Sequence, residues 1–115
     1  MQTARVQPFD MNATEIMNVA GRFDGGNAED ILNDAKLRMQ MGARKLVLDC
    51  MGLNYLTAGG MHAMADIAKE VRARQGVFAV CNLRGQPKSM FDACGFEQII
   101  PSYGNQAEAV AQIAA

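Results

Sequence analysis

Residues 45–61 decide the fold and read KLVLDCMGLNYLTAGGM. The first six, residues 45–50, form an almost continuous apolar run, which predicts a strand covered on both faces of a sheet. An amphipathic pattern begins at Met61, with apolar residues at three- and four-residue steps, and predicts a helix. The stretch therefore predicts a strand, a glycine-containing turn and a helix, which together form the repeating unit of an α/β protein.

The turn within this stretch, residues 53–61, is the segment best able to carry function. Thr57 is predicted to cap the helix, so that the free amides of Ala58, Gly59 and Gly60 form a first turn with partial positive charge. The two glycines also allow another part of the backbone to approach closely. Neither glycine-rich phosphate-binding fingerprint is present, so the turn alone does not define a nucleotide site.

Four further segments are predicted to be strands, which brings the total to about five. A second buried run lies at residues 77–81, while residues 15–20 alternate apolar with polar residues and are predicted to end at Gly21. A weaker strand is predicted at residues 3–7 and a short final strand at residues 98–100, before Pro101.

The predicted order is β-β-α-β-α-β-α-β-α, with four helices, and it describes one α/β domain over residues 1–115. Strands separated by helices predict parallel neighbours, while the opening pair of strands permits one antiparallel contact, so a mixed, mostly parallel sheet is expected. The helices that start near Asn27 and Met61 are predicted to pack on one face of the sheet. Asn27 is predicted to cap the first helix. The glycines expected to end the first three helices are Gly42, Gly76 and Gly95, and the fourth helix covers residues 106–115.

Composition limits the function classes. The 115 residues are half hydrophobic and carry 11 basic against 12 acidic residues, so the near-neutral chain lacks a field that would hold nucleic acid or an anionic membrane. No stretch approaches the ~18 apolar residues of a membrane span and no secretory signal is evident, which predicts a cytoplasmic protein without direct membrane insertion. Cys50, Cys81 and Cys94 are interpreted as reduced, mostly buried thiols, with Cys94 facing inward.

The sequence offers little support for the hypothesis that the protein is an enzyme. His62 is the only histidine and has no evident nucleophile beside it, so a packed or solvated histidine or a partner contact is expected. Asp49 ends a central strand as in a response-regulator receiver, but the acidic pair and the lysine that such a magnesium site needs are missing. Asp49 is therefore expected to order the turn towards Gly52, and neither an enzyme nor a cofactor or metal is predicted.

Taken together, several segments resemble the STAS domain, a family named for sulfate transporters and anti-sigma-factor antagonists. Residues 45–61 resemble its signature, and the resemblance extends in register over nearly the whole chain. The other matching segments are residues 21–24 with Asn27 and Ala28, residues 83–91, residues 94–96 and residues 99–101.

The resemblance implies a protein switch. In small bacterial members, a partner kinase that is itself an anti-sigma factor phosphorylates the first serine of an Asp-Ser-Ser/Thr-Gly-Leu turn, and the phosphate weakens binding. Aligning Gly60 and Met61 with the end of that motif places Ala58 at the acceptor serine. Alanine has no hydroxyl and cannot accept phosphate. A one-residue shift would place Thr57 there as a substitute but would misplace Gly60 and Met61.

The sequence therefore predicts a non-catalytic module that binds a serine-kinase-type anti-sigma factor independently of phosphorylation. Three alternatives remain open: a STAS subunit of a transport or signalling complex such as a lipid-transport ABC system, a nucleotide-binding STAS domain, and a regulator phosphorylated at Thr57 or elsewhere. The residues predicted to form or border the partner surface are Asp24, Asn27, Thr57, Ala58, Gly59, Gly60, Met61 and His62.

Overall fold

The computed structural model describes residues 13–114 and shows strands and helices in strict alternation, so the predicted α/β class is confirmed. A short 3₁₀ turn separates the third helix from the last strand. The elements are β1 (Thr14–Phe23), α1 (Ala28–Gln40), β2 (Lys45–Leu56), α2 (Ala58–Ala73), β3 (Val77–Cys81), α3 (Gly85–Ala93), the 3₁₀ turn (Phe96–Gln98), β4 (Ser102–Tyr103) and α4 (Gln106–Ala114).

The described part of the chain forms a four-stranded sheet in the order β1-β2-β3-β4, and every neighbouring pair is parallel. Each crossover between parallel neighbours contains one helix, as the predicted alternation requires. Residues 13–114 thus contribute four strands, against about five predicted for the whole chain. The strand predicted at residues 3–7 lies outside the described residues and stays a prediction.

The prediction of a strand at residues 98–100 is wrong. Phe96–Gln98 form the 3₁₀ turn, and the Ile100 amide donates to the Phe96 carbonyl at 2.8 Å. This amide therefore closes the turn and does not pair with a neighbouring strand. Ile100 is fully buried, so the apolar run anchors this turn in the core. Pairing with β3 begins only at Pro101, whose carbonyl accepts from the Val80 amide.

Two hydrophobic clusters lie on opposite faces of the sheet. The larger one packs α1, α2 and α3 against one face, which confirms the predicted position of the first two helices. Met39, Met64 and Phe91 are buried there, one from each helix. On the other face, α4 places Ala109 and Ile113 in the smaller cluster. Both faces of the central strands are covered, which explains their nearly uninterrupted apolar sequence.

Strands β1 and β2 both extend further than predicted. Gly21 has φ +70° at a shift in register, yet β1 continues to Phe23. In β2 a bulge follows Asp49, whose Oδ1 accepts the Met51 amide and the Asn82 side-chain amide, each at 3.0 Å. Asp49 therefore orders a bulge within a longer strand rather than the strand's end.

Two other local predictions are corrected. Gly42 and Gly95 have the expected positive φ, but after α2 the left-handed residue is Gln75, at φ 62°. Gly76 is required for space instead, because a Cβ there would overlap the Arg44 carbonyl oxygen. Cys94 is exposed rather than inward-facing, since it lies just past the end of α3.

Candidate functional site

The segment that contains Asp24 and Asn27 meets the turn at residues 53–61 at the carboxyl ends of β1 and β2. Phe23 pairs with Leu56, the last residues of the two strands, and the Thr57 amide donates to the Phe23 carbonyl at 3.1 Å. The loop formed by residues 24–27, here called the first loop, therefore lies beside the start of α2. Parallel pairing produces this juxtaposition, because it brings the carboxyl ends of both strands to one edge of the sheet.

The glycines at the start of α2 let the backbone of β1 and the first loop approach the helix very closely, as predicted. A Cβ on Gly59 would lie 2.6 Å from the Gly25 nitrogen, and a Cβ on Gly60 would overlap the Phe23 carbonyl oxygen. Both glycines are helical rather than part of an irregular turn. Their missing side chains let the first turn of α2 pack directly against the backbone of the first loop.

Asn27 organises the first loop instead of capping α1. Its Oδ1 accepts the Asp24 amide at 3.0 Å and its Nδ2 donates to the Arg22 carbonyl at 2.6 Å, while no side-chain cap closes the helix. The predicted capping role is therefore wrong, although Asn27 does occupy the cap position. The loop is folded by these two bonds across its own ends.

Asp24 forms the charged part of this loop. Its carboxylate accepts from Arg22 Nε at 3.0 Å and from the Gly26 amide at 2.9 Å. The hydrogen bond from Arg22, and next the one from Gly26, lower the pKa of Asp24, so the carboxylate is ionised at neutral pH. The Arg22 guanidinium also lies 4.8 Å from the centroid of the Tyr55 ring, which links the loop to β2 by a cation–π contact.

Thr57 and Ala58 differ in accessibility. Thr57 is extended and precedes α2, but its hydroxyl makes no capping bond and instead reaches the Phe23 carbonyl at 3.4 Å. The predicted Thr57 cap is therefore wrong. Thr57 is half-buried, whereas Ala58 is exposed. The first turn of α2 also has no acidic residue, so the partial positive charge of its amides is not offset within the turn.

The other predicted partner residues either reach the surface or lie beneath it. His62 is exposed, while Gly59, Asp24 and Asn27 are partly buried. Gly60 is buried and Met61 is only 3% exposed, so these two support the surface from beneath and offer little area of their own. The structure thus brings the predicted residues to one edge of the molecule, with Ala58 and His62 outermost.

Gln86 is a site residue that sequence analysis missed. It lies in the first turn of α3, where its Oε1 accepts the Leu56 amide at 2.8 Å and its Nε2 donates to the Leu56 carbonyl at 2.9 Å. Since β3 stops pairing with β2 at Asp49, the Gln86 carboxamide takes the place of a neighbouring strand. No local pattern signals this contact, because the two residues are 30 positions apart.

Replacing Gln86 with alanine is expected to lower the free energy of unfolding by about 1–2 kcal/mol, since two partly buried backbone groups lose their partner. Urea unfolding measures the loss, and hydrogen exchange at the Leu56 amide should become faster. Gln98→Ala is the matched control, because Gln98 is exposed. Equal stabilities of the two variants would show that the bidentate contact does not hold the turn.

Metal-binding clusters and membrane-spanning helices are both missing from the described part of the chain. Within residues 13–114, His, Cys, Asp and Glu side chains do not gather in any group of three that could hold a metal ion. No helix in that range combines the length and apolarity needed to cross a membrane.

In the described residues, α2 begins with two closely packed glycines at the edge of the sheet where β1 and β2 end. The sequence model of the STAS domain matches residues 10–109, and the chain therefore belongs to the STAS domain family. The resemblance noted in the sequence is thus confirmed.

The chain is similar to proteins named as anti-sigma-factor antagonists. It is 31% identical over 91 residues to BtrV of Bordetella bronchiseptica, which carries that name, with 79% of this chain and 78% of BtrV covered. The crystal structure of an anti-sigma factor antagonist from Mycobacterium paratuberculosis has a TM-score of 0.80 at 18% identity, covering 93% of this chain and 91% of that one. The structure of the Bacillus cell fate determinant SpoIIAA in its phosphorylated form has a TM-score of 0.68 at 16% identity, with 97% of each chain covered.

Proposed function

We propose that this protein is a non-catalytic anti-sigma-factor antagonist that binds a serine-kinase-type anti-sigma factor in the cytoplasm without control by phosphorylation. The observation that carries the proposal is the exposed methyl group of Ala58 at the first position of α2. A hydroxyl at this point would be open to a kinase, and the alanine offers none. The small neutral side chain matches the unphosphorylated, binding-competent form that the family resemblance describes.

The environment of the turn supports placing Ala58, rather than Thr57, at the acceptor position. The Thr57 amide and hydroxyl both lie against the Phe23 carbonyl, and Thr57 is partly buried. Gly60 leaves the least room for a side chain, because a Cβ there would overlap the same carbonyl, whereas a Cβ on Gly59 would lie 2.6 Å from the Gly25 nitrogen. This spatial requirement favours the alignment in which Gly60 matches the glycine of the family motif.

The proposed contact surface combines the first loop with the exposed residues at the start of α2. Asp24 contributes an ionised carboxylate, and the neighbouring amides of α2 contribute partial positive charge. Phosphate on a residue at position 58 would add about −1.5 to −2 charges to this surface, which explains how a serine there could switch binding off. The proposed members are Asp24, Asn27, Thr57, Ala58, Gly59 and His62, with Gly60 and Met61 beneath them.

The partner is tested by a pull-down from the native cytoplasm with the purified chain as bait. We expect recovery of a serine-kinase-type anti-sigma factor. A matched bait, Ala58→Glu, should recover much less of it, which separates specific capture from background. Recovery of transporter ATPase and permease subunits without any kinase would contradict the proposal and favour a subunit of a transport complex.

Phosphorylation is tested by incubating the wild type and the Ala58→Ser variant with the recovered kinase and ATP. We expect Ala58→Ser to take up about one phosphate per chain and the wild type essentially none, because only the variant presents an exposed hydroxyl at the start of α2. Intact-mass spectrometry measures the uptake. Adding Thr57→Val to Ala58→Ser should leave uptake unchanged. Equal uptake by wild type and Ala58→Ser would show that the acceptor lies elsewhere.

A further inference from the structure

A groove of about 280 Å³ lies between α2 and the segment formed by α3 and the 3₁₀ turn. It begins at Ala58, and Met61 lies along its α2 wall. Met90, Cys94 and Phe96 line the opposite side. Phe96 is held in place by an edge-to-face contact with the fully buried Phe91, with ring centroids 5.8 Å apart. The wall of the groove is therefore fixed by packing at the edge of the hydrophobic core, and the groove continues the surface around Ala58.

We propose that this groove receives one bulky apolar side chain of the anti-sigma factor, from a segment in which Lys or Arg residues flank that side chain. The proposal rests on the proposed function, since it assigns a second contact to the same partner. It extends the interface from the start of α2 across to α3 and the 3₁₀ turn.

The size and lining of the groove determine what it can hold. Its volume falls just below the ~300–1,000 Å³ typical of small-molecule pockets, and most of its lining is apolar, with Met61, Met90 and Phe96 as the large side chains. Protein interfaces commonly concentrate their binding free energy in one or two large side chains that fill such a depression. Methionine walls also adapt readily to the shape of an incoming side chain.

The charges at the rim determine what should flank that side chain. Asp66 lines the groove and is exposed, and Glu97, beside Phe96, is exposed as well. Among residues 13–114 neither carboxylate forms an ion pair, whereas Lys88 on α3 is already paired with Asp92 at 2.9 Å. Asp66 is the carboxylate in the lining of the groove and has no Lys or Arg beside it in that lining, which favours basic residues on the partner.

Cys94 provides a probe within the groove itself. Cys50 and Cys81 are buried, and burial raises the pKa of Cys50 to about 12 and that of Cys81 to about 11, so both are poor thiolates. Cys94 is exposed and lines the groove. A maleimide reagent should therefore label Cys94 selectively in the folded protein.

The first experiment measures labelling of Cys94 by N-ethylmaleimide in the free protein and in its complex with the recovered kinase. We expect at least tenfold slower labelling in the complex. Protein labelled beforehand should bind at least about 30-fold more weakly, the effect of losing one central anchor contact. Treatment with the reagent should not change the affinity of Cys94→Ser, because that variant lacks the exposed thiol.

The outcomes separate this proposal from the proposed function. If the wild type binds the kinase but Cys94 is labelled equally fast in the complex, the groove is not part of the interface, while the proposed function stands. If the wild type does not bind the kinase, both proposals are overturned. The labelling rate in the complex requires no variant, so its interpretation does not depend on whether a substituted protein folds.

The second experiment tests the rim. Asp66→Asn is expected to weaken kinase binding about threefold at low salt and to have less effect at high salt, as for an exposed charge pair. Gln112→Lys is the matched control, because it changes net charge by the same amount on exposed surface of α4, across the sheet from the groove. Equal weakening by both variants would show an effect of net charge alone and would overturn the assignment of the rim.

Discussion

Replacing Ala58 with glutamate is expected to weaken binding of the anti-sigma factor at least about tenfold. Ala58 is exposed, starts α2 and borders the groove, so a carboxylate there would have to lose its hydration inside the proposed interface. It would also add negative charge to a surface that already presents Asp24 and Asp66. Titration calorimetry with the purified kinase measures the change in affinity.

The same substitution should leave folding intact, which makes the result interpretable. A carboxylate in the first turn of a helix interacts favourably with the helix dipole, by about 0.3–1 kcal/mol, so the free energy of unfolding should hold or rise slightly. Ala107→Glu is the matched control, because Ala107 is an exposed alanine in the first turn of α4 on the other face of the sheet. Unchanged affinity of Ala58→Glu would remove this turn from the interface.

Replacing Gly60 with alanine is expected to lower the free energy of unfolding by about 3 kcal/mol. The new Cβ would overlap the Phe23 carbonyl oxygen and lie 2.8 Å from Leu56 Cδ1. The carbonyl belongs to the backbone and also accepts the Thr57 amide at 3.1 Å, so it cannot move without breaking the junction between β1 and α2. The loss should exceed the ~1 kcal/mol that alanine gains over glycine in a helix.

Urea unfolding measures this effect, with Gly25→Ala as the control. Gly25 lies in the adjacent first loop and does not need a positive φ, and a Cβ added to it would meet no atom within 4 Å, so its replacement should change stability little. A stable protein is only about 5–15 kcal/mol more stable than its unfolded chain, which makes a loss of about 3 kcal/mol easy to resolve. If Gly60→Ala were as stable as Gly25→Ala, the close packing of α2 on β1 would be wrong.

Local patterns were sufficient for most of the fold. The buried strand that begins at Lys45 and the apolar stripes of α1 and α2 are properties of consecutive residues, and each led to the correct element. The same kind of pattern failed at residues 98–100. An apolar pair such as Ile99 and Ile100 can pair in a sheet or anchor a turn, and the choice depends on whether a strand edge is within reach.

The hydrogen-bonding roles in the site were less predictable. Asn27 and Thr57 occupy the cap positions that the sequence indicates, yet Asn27 folds the first loop and Thr57 bonds to Phe23. For Thr57 a distant partner prevailed over the local cap, because β1 and β2 end side by side and bring the Phe23 carbonyl within reach. Asn27 bonds to Asp24 and Arg22, which are close in the chain but precede the helix that it was expected to cap. Cys94 likewise follows the pattern of an inward residue, but α3 ends before it.

The sequence by itself determined the α/β alternation, the family signature and the absence of a hydroxyl at position 58, since each depends only on residue identity and local order. Only the tertiary structure decided that Ala58 is exposed while Met61 is buried, that Gly60 must lack a side chain, and that Gln86 holds Leu56 from a distant helix. The groove beside Ala58 also belongs to this second group. These features arise from contacts between residues far apart in the chain, and such contacts exist only once parallel pairing has brought the strand ends together.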